Sequence, residues 1–246
     1  MISLVEPGDT RLGMAPGEPL LLAMVQGLAK TAGPGLRREV WLVLDEENRP
    51  AGAVCRTEGG LWATAAGSAT AETAAFLAVL GGSSATVDGG LVPLLPGSWQ
   101  RRPVLEYRGP QPEETLLYPP SAMGLADCCA GAGLAAPWER DALYAELHLR
   151  LRRGAARLFL VPDERGNPAA GAANLLGERH AVIGCLACPS EKRGRGYGTA
   201  ALRAAVRAAM EGGLAPLLAC KEELLPFYTL RGFIPTGEVW ERRAVL

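Results

Sequence analysis

Residues 191–200 read EKRGRGYGTA, and the fold turns on whether this stretch cradles an anion, grips a nucleic acid or only turns a corner. Upstream lies HAVIGCLACP (180–189), an apolar run of the length of a buried strand. Downstream, GYGTAALRAAVRAAMEGG (196–213) puts Leu202, Val206 and Met210 on one helical face and Arg203 and Arg207 on another, with Gly212 and Gly213 as a stop. The order is therefore strand, glycine-rich turn, helix. Glycines at 194, 196 and 198 let the backbone approach a ligand closely and expose amide N–H groups. A helix start adds partial positive charge, worth about 0.3–1 kcal/mol to an exposed anion and up to ~2 kcal/mol to a partly buried one. Lys192, Arg193 and Arg195 offer charge-assisted hydrogen bonds at the same end, so the stretch reads as a cradle for a phosphate or pyrophosphate.

Other glycine motifs do not fit. No G-x-x-x-x-G-K-[ST] is present, the spacing is G-x-G-x-G and not that of a dinucleotide fingerprint, and no acidic ribose ligand follows at a suitable distance. Arg-Gly segments that bind RNA are long, repeated and disordered, whereas RGRGYG is a single turn between ordered elements. The 246 residues carry a net charge of −1, which argues against a nucleic-acid footprint. Apolar residues make up 48% and charged residues 21%, as in a core-forming domain. No run approaches the ~20 apolar residues of a membrane span, since PLLLAMVQGLA (19–29) stops at Lys30, and the start lacks a basic leader; a cytoplasmic location is expected. The six cysteines include the adjacent pair Cys128 and Cys129, and a C-x-x-C, Cys185 and Cys188, whose residues point to opposite faces of a strand. With only His148 and His180 beside them, a metal site is not expected, and the cysteines read as buried and reduced.

Working outward, the chain repeats itself. WLVLDEENRPAGAV from Trp41 and FLVPDERGNPAAGAA from Phe159 both read as a strand, an acidic turn and a small-residue strand, 118 residues apart. A helical candidate precedes each copy, 18–30 and 137–153; in the latter Leu143, Leu147 and Leu151 recur every four residues. RGPQPEETLLYPP (108–120) disfavours regular structure and reads as a linker between the halves. Similar charged strands close the copies, VLEYR from Val104 and VWERR from Val239. From Asp45 to Val104 is 59 residues, and from Asp163 to Val239 is 76, so the first copy is 17 shorter. The counterpart of the opening stretch then falls near AAFLAVL (74–80), with no glycine loop. The expected organisation is a loop-less copy over 1–108, a Pro-rich linker over 109–122 and a ligand-binding copy over 123–246.

Residues 193–198 fit R/Q-x-x-G-x-G/A, and FYTLRGF (227–233) fits Y-x-x-x-G-F through Tyr228, Gly232 and Phe233, about 30 residues downstream. In this combination the chain resembles the GNAT superfamily of N-acetyltransferases, well over roughly 125–246, and through the internal repeat over the first half. The resemblance implies an α/β fold with two GNAT-like domains, each a central, mostly antiparallel mixed sheet flanked by helices. It implies acetyl-coenzyme A (acetyl-CoA) as co-substrate, bound between the strands at about 180–188 and 214–220. Backbone groups of Leu186, Ala187 and Cys188 would hold the pantetheine arm. The amides of Arg193, Gly194, Arg195, Gly196, Tyr197 and Gly198, with the Thr199 hydroxyl, would hold the pyrophosphate.

Direct attack of an amine on the thioester is implied, with a backbone N–H near Leu186 polarising the carbonyl. Tyr228 matches the family's general acid, and a phenol of pKa ≈ 10 is protonated at pH 7; it also reads as a packing aromatic. Glu178 and Glu222 are the candidate bases, or solvated turn carboxylates, with His180 a candidate relay. The chain departs from the pattern at Lys221, where many relatives carry Asn, and at Pro226, which would break a helical hydrogen bond or force an early helix start. The expected partner is a small-molecule or peptide amine, with no nucleic acid and no membrane, and assembly as a homodimer stays open. The alternative is a non-catalytic acyl-CoA-binding or regulatory module.

Overall fold

The computed structural model describes residues 1–6, 9–31, 38–58, 60–82 and 84–243. In chain order the strands are β1 (Ile2–Leu4), β2 (Glu39–Leu44), β3 (Pro50–Thr57), β4 (Gly60–Ala65), β5 (Ser84–Val87), β6 (Gln100–Tyr107), β7 (Ala156–Pro162), β8 (Pro168–Leu176), β9 (His180–Ala187), β10 (Ala215–Ala219) and β11 (Phe233–Arg243). The helices are α1 (Pro19–Ala29), α2 (Ala69–Leu80), α3 (Ala122–Gly131), α4 (Arg140–Arg152), α5 (Tyr197–Glu211) and α6 (Leu225–Thr229). None of the described helices is long and apolar enough to cross a membrane. The chain divides into two compact units, residues 1–106 with 219–246, and residues 107–218. The boundaries expected from the repeat, 1–108, 109–122 and 123–246, follow the chain; the compact units do not, because β11 pairs antiparallel with β5 (Trp240 with Val87) and so packs with the first half.

In the first unit the strand order is β1-β2-β3-β4-β5-β11-β6, with β1 to β4 antiparallel neighbours and β4–β5 parallel. Alternation along each strand sorts side chains to two faces. Leu42, Leu44, Ala53 and Cys55 turn toward Val25 and Leu28 of α1, while Val43, Val54, Leu61 and Ala63 pack with Ala69, Ala74 and Leu77 of α2. In the second unit β7, β8 and β9 are antiparallel neighbours and β9–β10 is parallel. Leu158, Leu160 and Ala173 cluster with α3 and Leu147 of α4. On the opposite face the Asn174 amide donates to the Ala205 carbonyl of α5 at 2.7 Å. Ala201, Leu202, Ala205, Val206 and Ala209 form the buried stripe of α5, four of its positions being alanines or valine that let the helix lie close to the sheet.

The repeat is visible as chemistry in the two hairpin turns. Asp45 Oδ1 accepts the Glu47 and Arg49 amides, each at 2.9 Å; Asp163 Oδ1 accepts the Arg165 and Asn167 amides, each at 2.9 Å. Two features differ from the sequence reading. Helix α3 lies where none is expected, started by Ser121, whose Oγ accepts the Gly124 amide at 3.1 Å. The first-copy counterpart of the glycine loop is not at 74–80, which lies inside α2, but in the turn Ala66-Gly67-Ser68 between β4 and α2.

Candidate functional site

The second unit assembles a strand irregularity, a loop and a helix start at one place. Gly171 of β8 faces Ala187 and Ala173 faces Gly184, so two residues of β9, Cys185 and Leu186, stand opposite one of β8. That is a β-bulge, which disrupts the ladder and bends its strand. Cys185 takes the left-handed φ of 51° that the bulge requires. On the other side β9 pairs with β10 only at Ala215–His180, Pro216–Ala181 and Leu217–Val182, and then continues through the bulge to Ala187. Gly184, Cys185 and Leu186 are partly exposed, whereas Ala181, Val182, Ile183 and Ala187 are buried.

Beyond Ala187 a 3-10 turn over Ser190–Lys192 leads into the glycines. Gly194 and Gly196 have φ of 77° and 85°, and a Cβ built on either would meet nothing within 4 Å. Their requirement is conformational: an L side chain at such φ costs roughly 1–2 kcal/mol, and the space above both is open. Left-handed turns of this kind gather backbone N–H groups into an anion-binding concavity. Gly196 starts α5 without a side-chain cap, and the first helical bond is from the Ala200 amide to the Gly196 carbonyl at 3.0 Å. The Tyr197 amide precedes that first helical bond, and the Gly198 amide is directed at the Cys188 thiol. Because the Arg193 amide donates to the Ser190 carbonyl at 3.3 Å, the part of the expected cradle in which glycine turn and helix dipole act together on an anion is the stretch 194–197.

The basic side chains are used differently from the expectation. The Lys192 ammonium pairs with Asp163 Oδ2 in the β7–β8 turn. This ammonium, with the Asn167 and Arg165 amides, holds the Asp163 carboxyl down at about 2. Arg193 Nε donates to the Cys188 carbonyl at 3.1 Å and its Nη2 to the Ala132 carbonyl past α3 at 3.3 Å. Lys192 and Arg193 are therefore struts that hold the loop, and Arg195, which is exposed, is the loop cation left to meet a ligand. Asp163 is the positioning residue that sequence reasoning missed; its signal was the hairpin aspartate recurring 118 residues after Asp45, where Arg49 and not a loop lysine supplies the counter-charge.

The remaining candidates are Glu178 and His180 in the second unit and Glu222 and Tyr228 in the first. Glu178 is exposed in the β8–β9 turn, at the opposite end of β9 from the bulge. At ~3.3 Å per residue the strand carries it roughly 20 Å from Leu186, so the structure does not bring this candidate base to the loop. His180 begins the same strand at the same far end. Glu222, in the first unit, pairs with Arg101 Nη1 at 2.5 Å, and Arg101 Nε also holds Glu238, so this carboxylate is occupied by an arginine. Tyr228, in α6, is 8% exposed, with its ring edge-on to Phe227 and Phe233 at 5.0 and 5.8 Å. Burial, reinforced by the Cys220 thiol, pushes its phenol up to about 12, which keeps it protonated at every ordinary pH. Pro226 falls in the first turn of α6, where the missing N–H costs no helical bond; of the two outcomes expected for it, the structure takes the early start. Lys221 precedes the turn that follows β10 and pairs with Glu223 at 3.7 Å. Among the described residues no group of three or more His, Cys, Asp or Glu is placed to hold a metal ion.

The family model of the acetyltransferase (GNAT) family matches residues 123–233, which run from α3 through the bulge and glycine loop to the start of β11. Residues 123–233 belong to the GNAT family. Acyl transfer is that family's chemistry. Solved GNAT structures share the fold along nearly the whole chain. A GNAT N-acetyltransferase from Kribbella flavida is 19% identical at a TM-score of 0.58, covering 95% of this chain and 97% of that one. A GNAT-family acetyltransferase from Colwellia psychrerythraea is 12% identical at 0.55, covering 99% of each. A tandem GNAT protein from the clavulanic acid biosynthesis pathway is 13% identical at 0.56, covering 100% of this chain and 99% of that one. No curated protein sequence matches the chain. The likeness to the tandem protein accords with the sequence repeat, since the GNAT fold extends over the first half, which the family model leaves unmatched.

Proposed function

We propose that the protein is an N-acetyltransferase that moves an acetyl group from acetyl-CoA to a primary amine of a small molecule or peptide by direct attack. The observation that carries this reading is the continuous path from the β9 bulge through the left-handed glycines to the uncapped start of α5. In this reading the backbone of Leu186, Ala187 and Cys188 holds the pantetheine arm. The amides of Arg193 to Gly198, with the Thr199 hydroxyl, hold the pyrophosphate, and Arg195 adds the one uncommitted loop charge. Acetyl-CoA supplies a thioester whose acyl carbon is open to an amine.

Residues of this chain supply the rest. A bulge N–H near Leu186 donates to the thioester carbonyl, aimed at the oxygen on which charge develops. The Tyr228 hydroxyl, held protonated by burial, gives its proton to the departing thiolate. Glu222 remains the candidate carboxylate for removing the amine proton, provided that the Arg101 pair opens; the pair is solvent-exposed, and such pairs are worth about 0–1 kcal/mol.

The test is release of free thiol from acetyl-CoA on addition of a panel of primary amines. The wild-type protein is expected to turn over with at least one of them, and Gly196→Glu to lose turnover while keeping its far-ultraviolet circular dichroism. Acetyl-CoA binding with no turnover across polyamines, aminoglycosides, amino acids and peptides would favour a non-catalytic acyl-CoA-binding module instead.

A further inference from the structure

An asparagine between a sheet and a helix needs a reason, because an apolar side chain of similar shape costs less to bury. Asn174, in β8, is fully buried, and half of its amide is unused. Its Nδ2 donates to the Ala205 carbonyl of α5 at 2.7 Å, while Oδ1 has no hydrogen-bond partner among the described residues. Its register partner on β7 is Arg157, and the side chains of such a pair stand on one face of the sheet. Arg157 Nη1 reaches α5 as well, donating to the Ala208 carbonyl at 3.3 Å. A carbonyl has two lone pairs, so each can accept a side-chain donor beside a helical N–H. One cross-strand pair thus grips two carbonyls three residues apart, about one turn of α5.

The stripe of α5 that faces the sheet consists of Ala201, Ala204, Ala205 and Ala209 with Leu202 and Val206. Small side chains make low ridges, which let a helix lie close but fix its position along its own axis weakly. Directional bonds from the strands supply what the stripe lacks. Arg207 Nη1 also ties α5, to the Pro112 carbonyl at 3.4 Å, but through a long side chain and not to the sheet. The hairpin that carries the grip holds the entrance of the glycine turn too, since Asp163 at its tip pairs with Lys192. Arg157 lies six residues before Asp163, roughly 20 Å along a strand. The β7–β8 hairpin therefore fixes the chain on both sides of Gly194 and Gly196, before them at its tip and after them at its middle.

We propose that Asn174 and Arg157 are positioning residues of the anion cradle: they set where along the sheet α5 begins, and so where the amides of 194–197 are aimed. This role rests on the cradle being the coenzyme A pyrophosphate site. Neither side chain touches the ligand; both act through the backbone of α5. Asn174 has the larger share, because its bond is the shorter one and is shielded from water, whereas Arg157 is exposed.

Calorimetric titration of the full chain with coenzyme A separates positioning from a merely structural role, because it returns the affinity and the number of competent sites independently. Asn174→Leu removes the donor and the unpartnered oxygen together. It is expected to keep the wild-type number of sites and to bind about tenfold more weakly, the scale of one lost hydrogen bond. Arg157→Met, at an exposed position, is expected to bind roughly two- to threefold more weakly at the same stoichiometry. An Asn174→Leu affinity indistinguishable from wild type, or a loss that shows as fewer sites at unchanged affinity, overturns the proposal. If Asn174→Leu does not fold, Arg157→Met decides alone, and an unchanged affinity there overturns it. A wild-type chain that binds no coenzyme A would instead refute the pyrophosphate reading itself, and the positioning role with it.

Discussion

The turns β4–α2 and β9–α5 hold the same place in the two repeats, yet they handle the strand end in opposite ways. In the first copy Asp88 Oδ2 accepts the Ala65 amide at 2.8 Å and the Thr64 hydroxyl at 2.7 Å, so a carboxylate caps the end of β4. The Ala66 amide returns to the Ala51 carbonyl at 2.9 Å, and Ser68 leads straight into α2, whose first turn carries Glu72. The Ala65 and Ala66 amides at this strand end are thus taken up and the local charge is negative, although α2, like α5, starts without a side-chain cap. In the second copy the corresponding strand bulges at Cys185 and Leu186, residues 188–196 replace the short turn, and α5 starts without a side-chain cap. The same fold thus closes one strand end with an aspartate and leaves the other as a set of donors. Fold alone does not make a site; the residues at this turn do.

The largest effect expected from this contrast is at Gly196. Gly196→Glu places a Cβ at a φ of 85° and an anion at the helix start, and should abolish coenzyme A binding by calorimetry. The matched change Gly67→Glu, also at a left-handed glycine (φ 60°), should leave coenzyme A binding unchanged. Second in size is Tyr228→Phe, expected to lower kcat about a hundredfold with the KM for acetyl-CoA little changed, within the usual range for loss of a general acid. The segment joining β5 to β6 in the first copy contains no tyrosine, so no residue there can substitute. Third, Asp163→Asn releases Lys192 from the hairpin and should weaken coenzyme A binding several-fold. Asp45→Asn, the same change in the first copy, should lower thermal stability and leave affinity alone.

A last effect is on stability and not on binding, and concerns Glu18, which caps α1 by accepting the Leu21 amide at 3.0 Å. Burial raises its carboxyl to about 7, opposed by the Leu21 and Leu20 amides and reinforced by the Asp88 charge. Because the folded value lies above the unfolded one, this contribution to stability is fully present below about 4.5 and is lost as pH rises to about 7. Glu18→Gln should therefore raise the melting temperature at pH 8 relative to wild type more than it does at pH 5, by an amount reflecting at most about 3 kcal/mol.

Much of this was legible in the sequence for a physical reason. The turn glycines, the apolar strand before them and the periodic helix after them are local signals, and β9, the loop and α5 form where they indicate. The hairpin repeat is equally local, since each aspartate bonds to amides two and four residues on. What the sequence hides is non-local. The pairing of β11 with β5 joins residues far apart in the chain, and nothing in VWERR says which strand it will meet. The bulge is set by register across β8 and β9, so the C-x-x-C reads as ordinary strand alternation until the extra residue is seen. Lys192 and Arg193 look like phosphate ligands in one dimension, and only Asp163 and the Ala132 and Cys188 carbonyls reveal them as struts. Glu178 fails as a base for the same reason: it is close to the loop in sequence and a strand's length away in space.

The central claim is that one half of the chain binds the acyl donor and the other has closed its counterpart. Native mass spectrometry of the full chain titrated with coenzyme A tests it most directly. The account predicts saturation at one equivalent per chain, lost in Gly196→Glu; two equivalents, or one that survives Gly196→Glu, would contradict it.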